Sequence, residues 1–155
     1  MAIRTQWDND KKTVLRQTIE DQWTLEDLHA AMQTRRSMLT SQKRTVHIIS
    51  HIEGNLCMPK GFMGELKNLA GSCPANAGVH VVVGGGAYVK GVYNTAKYLA
   101  PRLTENIRFA STLDEARVII AEVPVEKRTA SWVTIWEKAT EILRLPKKPK
   151  LLERL

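Results

Sequence analysis

Apolar and polar positions alternate at the start of the chain: Ile3, Thr5 and Trp7 fall on one side, with Arg4 and Gln6 between them. That period of two predicts a strand with one face buried. Asp8-Asn9-Asp10-Lys11-Lys12 reads as a turn, because Asn and Asp tolerate left-handed backbone and hydrogen-bond to it locally. A second strand over 13–19 then makes the opening a β-hairpin. The period changes to helical after Thr24, whose hydroxyl is placed to cap free amides while Asp27 sits in the first turn. Leu25, Leu28, Met32 and Leu39 make its apolar stripe, and the helix is expected to end near Gln42.

Val46 to Ser50 is apolar at consecutive positions, the pattern of a strand covered on both faces. A polar loop with His51 and Glu53 follows, then a helix opened by Pro59, whose missing amide costs nothing at the first helical position. Phe62, Leu66 and Leu69 are its inward residues. A further buried strand over 78–83 leaves through Gly84-Gly85-Gly86 into a helix from Ala87 to about Ala100, which Pro101 ends. A short strand over 106–110 precedes a helix capped by Thr112, with Glu115 in the capping-box position and Leu113, Ala116, Ile119, Ile120 and Val123 inside.

The order β-β-α-β-α-β-α-β-α predicts an α/β fold: a mixed, mostly parallel sheet of about five strands, opened by a hairpin and covered by helices. The strands around Ile48 and Val82 are expected to be neighbours. Residues 1–123 form the expected domain, and 124–155 a basic extension with an amphipathic helix over about 129–145. There Trp132, Trp136, Ala139 and Leu143 step by four, three and four, which is heptad spacing.

Charge sharpens this division. Residues 127–155 hold eight basic and three acidic side chains, residues 1–126 fifteen and thirteen, so the net charge of +7 splits into +5 and +2. Such a tail can contact an anionic surface or nucleic acid without a specific site, in a salt-sensitive way. No apolar run approaches the roughly 18 residues of a membrane span, and the N-terminus has no apolar leader core, so a cytoplasmic location is expected. Cys57 and Cys73 lack companions at metal-ligand spacing and are expected to be reduced, buried thiols.

Three local motifs carry a resemblance. They are Gln6-Trp7-Asp8 at the end of the first strand, Met58-Pro59-Lys60-Gly61, and Val82-Val83-Gly84-Gly85 followed by Thr112-Leu113-Asp114-Glu115-Ala116. With the order of elements, these resemble the STAS family (sulphate transporter and anti-sigma-factor antagonist domains), in particular its small stand-alone bacterial STAS/SEC14-type members, over about residues 1–123. The resemblance implies the scaffold and a binding or regulatory role. It also implies an acidic residue and a Ser or Thr phosphoacceptor around the central loop. Here those positions hold His51 and Pro59-Lys60-Gly61, with no Ser or Thr between Ser50 and Ser72, so that switch is not expected.

No catalytic set, metal site or cofactor is expected. His51 and Glu53 are the one candidate acid–base pair, and with Asn55 and Lys60 they mark the candidate recognition loop. Gly84-Gly85-Gly86 lacks the spacing of a nucleotide-binding turn and is read as a strand exit. His47 and His80 are expected to be packed or hydrogen-bonded within strands, and His29 to face solvent or a neighbouring loop. The expected function is a non-enzymatic interaction or regulatory module, with Trp132, Trp136, Ala139 and Leu143 mediating docking to a protein partner or homodimerisation. The alternative is a carrier of a small apolar ligand or lipid, with a pocket lined by groups such as Phe62, Met63, Tyr88 and Tyr93.

Overall fold

The alternating first segment and its partner form one edge of the sheet. In the structure, a computed structural model that describes residues 2–71 and 73–123, β1 (Ile3–Trp7) runs antiparallel to β2 (Val14–Ile19), Ile3 opposite Ile19 and Trp7 opposite Leu15. Asn9 organises the turn: its Oδ1 accepts from the backbone N–H of Thr13 at 3.0 Å, and Lys12 takes the left-handed φ of 54°. β3 (Val46–Ile52), β4 (Ala77–Val83) and β5 (Ile107–Ala110) then add in parallel, giving the order β1-β2-β3-β4-β5. The sheet is mixed and five-stranded, as expected, and Ile48 and Val82 lie on adjacent strands, where Ile48 pairs with His80 and Ser50 with Val82.

Right-handed crossovers that always step to the next strand deposit successive helices on one face. α1 (Leu25–Thr40), α2 (Phe62–Gly71), α3 (Gly86–Leu99) and the one-turn α4 (Pro101–Thr104) accordingly share a face, and α5 (Leu113–Ala121) covers the other. The pleat sorts the side chains. Gln17, Ile19, Ile48, Ser50, Ile52, His80 and Val82 point toward α1–α4. Val14, Ile49, Val81 and Val83 pack with Ala116 and Ile120 of α5. A third cluster, fully buried Leu15, Leu39, Val46 and Ile48, fixes the end of α1 to the sheet. Each such side chain contributes about 1.5–3 kcal/mol by leaving water.

Helix ends follow local chemistry. Thr24 and Asp27 form a complete capping box on α1. At its other end the Asn76 side-chain amide donates to the carbonyls of Leu39, Gln42 and Arg44 at 2.8, 3.2 and 3.1 Å, which satisfies orphan acceptors. Thr112 caps α5 by accepting from the Glu115 N–H, but the Glu115 carboxylate reaches the N–H of Ser111 rather than that of Thr112. Arg117 latches α5 to the hairpin, its Nε and Nη2 donating to Asp8 Oδ2 and Oδ1 at 2.9 and 3.0 Å, with Arg16 Nη1 3.4 Å from Oδ1.

Three local expectations are corrected. α2 begins at Phe62, not Pro59, because Gly61 adopts φ of 88° and turns residues 59–62 before the helix. Pro101 ends α3, as expected, and also opens α4 at its first position. His51 lies in β3, which runs on to Ile52, and only Glu53 is in the loop. Cys57 and Cys73 are exposed. At Cys57 the neighbours Leu56 and Met58 turn inward, so the residue between them turns out. The triple glycine is the strand exit it was read as: φ is positive at all three, and at Gly85, the N-cap of α3, a Cβ would collide with the Val89 side chain.

Candidate functional site

Between the sheet and α1–α4 lies a cavity of about 260 Å³. Its floor is the strand face carrying Ile19, Ile48, Ile52, Val82 and Phe109. Its walls are Leu28 and Met32 of α1, Phe62, Leu66 and Leu69 of α2, and Val89, Tyr93 and Ala96 of α3. Aromatic pairs brace it: Trp23 meets Phe62 edge-on at 5.6 Å, and Tyr93 meets Phe109 at 5.0 Å. The loop after β3 contributes Leu56 and Met58 to the rim.

Within this apolar lining a few polar groups converge. Ser50 Oγ and His80 Nε2 are 2.7 Å apart, held by neighbouring parallel strands whose pleat brings both to the cavity. Gln17 Nε2 donates to Thr5 Oγ1 and the Ala31 carbonyl, and its Oε1 accepts from Arg35 Nη1 at the long distance of 3.4 Å. Arg35, on α1, is 6% exposed and borders the cavity. No acidic side chain among the described residues pairs with it, and the contact to Gln17 is its one hydrogen bond among them. Desolvation lowers its pKa, an effect opposed by the nearby Cys73, yet a guanidinium starts so high that it keeps its charge.

His80 responds to the same environment. The ring retains some accessible surface because it borders the cavity, but it lies deep in the protein, and depth governs its titration. Desolvation, with the Arg35 charge adding to it, pushes its pKa down to about 3, so the imidazole is neutral at physiological pH. Whichever tautomer it takes, the Ser50–His80 bond uses one of the pair's two hydrogens and leaves the other for donation.

The residues singled out in the sequence fall elsewhere. His51 Nδ1 and Glu53 Oε1 do approach, at 3.7 Å, but the pleat turns His51 to the α5 side of the sheet, away from the cavity. Asn55 and Lys60 are exposed and do not line it. Trp132, Trp136, Ala139 and Leu143 lie outside the described residues, as does the whole expected helix over 129–145. Of the proposed pocket residues, Phe62 and Tyr93 line the cavity. Met63 packs nearby without lining it, and Tyr88 is exposed. His47 is structural: its Nδ1 accepts from the Val79 N–H at 3.0 Å beside a register irregularity in the β3–β4 ladder. His29 reaches Glu65 across α1 and α2 at 3.2 Å.

His80 is hydrogen-bonded within the strands, as expected, whereas Arg35 has no counterpart among the candidate residues of the sequence. The signal was present: Leu28, Met32, Arg35 and Leu39 step by four, three and four, so a cation occupies the apolar stripe of α1. Among the described residues no group of His, Cys, Asp and Glu could hold a metal, and no helix is long and apolar enough to cross a membrane. Comparison of the chain with protein-family models, with curated proteins and with solved structures found no match.

Proposed function

We propose that residues 1–123 form a non-enzymatic binding domain, on a STAS-like scaffold, that holds a small, mostly apolar molecule between the sheet and α1–α4. One observation carries this: an apolar cavity of about 260 Å³ into which only a few polar groups converge. Small-molecule sites have that composition, and their usual range of roughly 300–1,000 Å³ begins just above this size. A cavity of about 150 Å³ already accommodates benzene, so the space suits a ligand somewhat larger. The docking role expected for Trp132 and Trp136 rests on sequence alone and is compatible with a domain whose ligand controls a partner.

The test is titration of the full chain with the neutral fluorophore 1-aminoanthracene, beside an Ala96→Phe variant. Ala96 is 5% exposed and lines the cavity, so a larger ring there occupies the ligand's space. Saturable binding that is lost in a folded Ala96→Phe supports the reading. Equal binding in both places the fluorophore elsewhere and removes its basis.

A further inference from the structure

Arg35 is the feature that folding alone does not explain. Taking an ion out of water costs several kcal/mol even after relaxation, and a buried cation is ordinarily repaid by a carboxylate. None of the described acidic side chains supplies one, and a 3.4 Å contact to a neutral amide is weak compensation. The guanidinium nevertheless borders the cavity that Ser50 and His80 also line, near enough for its charge to act on the His80 ring. A ligand carrying one negative charge on a planar head would pair with its fork in bidentate fashion.

We propose that the cavity takes an amphipathic monocarboxylate, with its carboxylate on Arg35, a further hydrogen bond from the Ser50–His80 pair, and its alkyl or aryl tail among Leu28, Phe62 and Leu66. This rests on the reading of the cavity as a ligand site and names what fills it. Charge balance selects the head group. His80 is neutral, and the other cation at the lining, Arg102, is exposed and hydrated, so one buried positive charge is available for one negative charge. A phosphate monoester dianion would leave a surplus charge in the cavity. A neutral alcohol would leave Arg35 unpaired.

Calorimetric titration of the full chain with octanoate, 4-phenylbutyrate, 1-octanol and octyl phosphate separates the possibilities. At least one carboxylate is expected to bind more tightly than octanol and octyl phosphate. Arg35→Met is expected to weaken that carboxylate about tenfold or more while leaving octanol nearly unchanged, since hydrogen bonds to a charged group carry that much. Arg35→Lys, which keeps the charge and loses the fork, falls between. An independent readout is Cys73, which is exposed, lines the cavity and approaches Arg35. Peptide-resolved iodoacetamide labelling of Cys73, with Cys57 as the internal reference, is expected to slow when the carboxylate is bound to the wild type, and this reading needs no variant to fold. Octanol binding equal to or tighter than both carboxylates, or octyl phosphate preferred to both, overturns the monocarboxylate while the cavity stands. If none of the four binds, and 1-aminoanthracene also fails, the cavity reading falls with it.

Discussion

Acid should weaken this domain in part through His80. In the fold the pKa of His80 is about 3, against an ordinary value of 6.5, because burial penalises the charged ring and Arg35 repels it. Above pH 6.5 the ring is neutral in both folded and unfolded chains and leaves stability untouched. Between pH 6.5 and 3 the unfolded chain holds a proton that the native state refuses, so stability falls as pH falls, by about 1.4 kcal/mol per unit. From pH 7 to pH 5 the loss from His80 is therefore about 2 kcal/mol, a large part of the 5–15 kcal/mol typical of a domain. The groups facing the ring are Arg35 from α1, which stays cationic throughout, and Ser50 from β3, which does not titrate. Most carboxylates are ionised in both states above pH 5, which keeps the window clean.

The assay is urea unfolding of the full chain at pH 7, 6 and 5, for wild type and His80→Gln. Glutamine keeps a hydrogen-bonding partner for Ser50 and removes the titration. Other histidines contribute equally to both proteins and cancel in the difference. The wild type should lose about 2 kcal/mol more than the variant across this range. Parallel pH profiles would refute the reasoning, because they would mean that His80 takes up its proton in the native state as readily as in the unfolded chain.

Three further outcomes are expected. Leu39→Ala removes a side chain with no exposed surface from the cluster with Leu15, Val46 and Ile48 and should cost about 3 kcal/mol in urea unfolding. Asp8→Asn breaks the bidentate latch to Arg117 and strands Arg16 beside it. Because Arg117 is partly solvated, the expected loss is about 2 kcal/mol, shrinking in high salt, with a double-mutant cycle against Arg117→Met to isolate the pair. Arg35→Met should stabilise the ligand-free protein by about 1–2 kcal/mol, since it removes, at similar volume, a buried charge that no described carboxylate pairs with. A destabilised Arg35→Met would show that Gln17 compensates the charge better than its 3.4 Å distance suggests.

Much of the fold was legible because periodicity reports local burial directly. The alternation at Ile3, Thr5 and Trp7, the capping pairs at Thr24 and Thr112, and the consecutive apolar residues around Ile48 each placed an element where it lies. Errors arose where a backbone detail overrode composition. Gly61 at positive φ delays α2 past Pro59, and the inward turn of Leu56 and Met58 expels Cys57. The cavity was less legible. A void is the difference between the space that elements enclose and the volume of their side chains, and no pattern along the chain records that difference. His51 stands out in the sequence, yet its strand parity sends it to the opposite face, while Arg35 is hidden within the apolar stripe of α1 that Leu28, Met32 and Leu39 define.

The two faces of the sheet offer a comparison built into one molecule. On the α5 side, Ile49, Val81 and Val83 close against Ala116 and Ile120, and buried His47, on the same face of β3, is satisfied by the Val79 N–H. One residue along the same strands, toward α1–α4, stand Ser50 and His80, with Gln17 beside them on β2 and Arg35 above on α1. Leucine or valine at these positions would bury more apolar surface and require no partner. Apart from Arg35 the group satisfies itself: Ser50 with His80, and Gln17 with Thr5 and the Ala31 carbonyl. Among the described residues, folding therefore accounts for the members that pair with one another and leaves the guanidinium with its long contact to Gln17 alone. Local departures from the rules that make a chain fold are expected where the chain binds. Among the described residues Arg35 is a buried cation without a carboxylate beside a cavity, which is such a departure, and the proposed monoanion with an apolar tail would suit both the charge and the apolar lining.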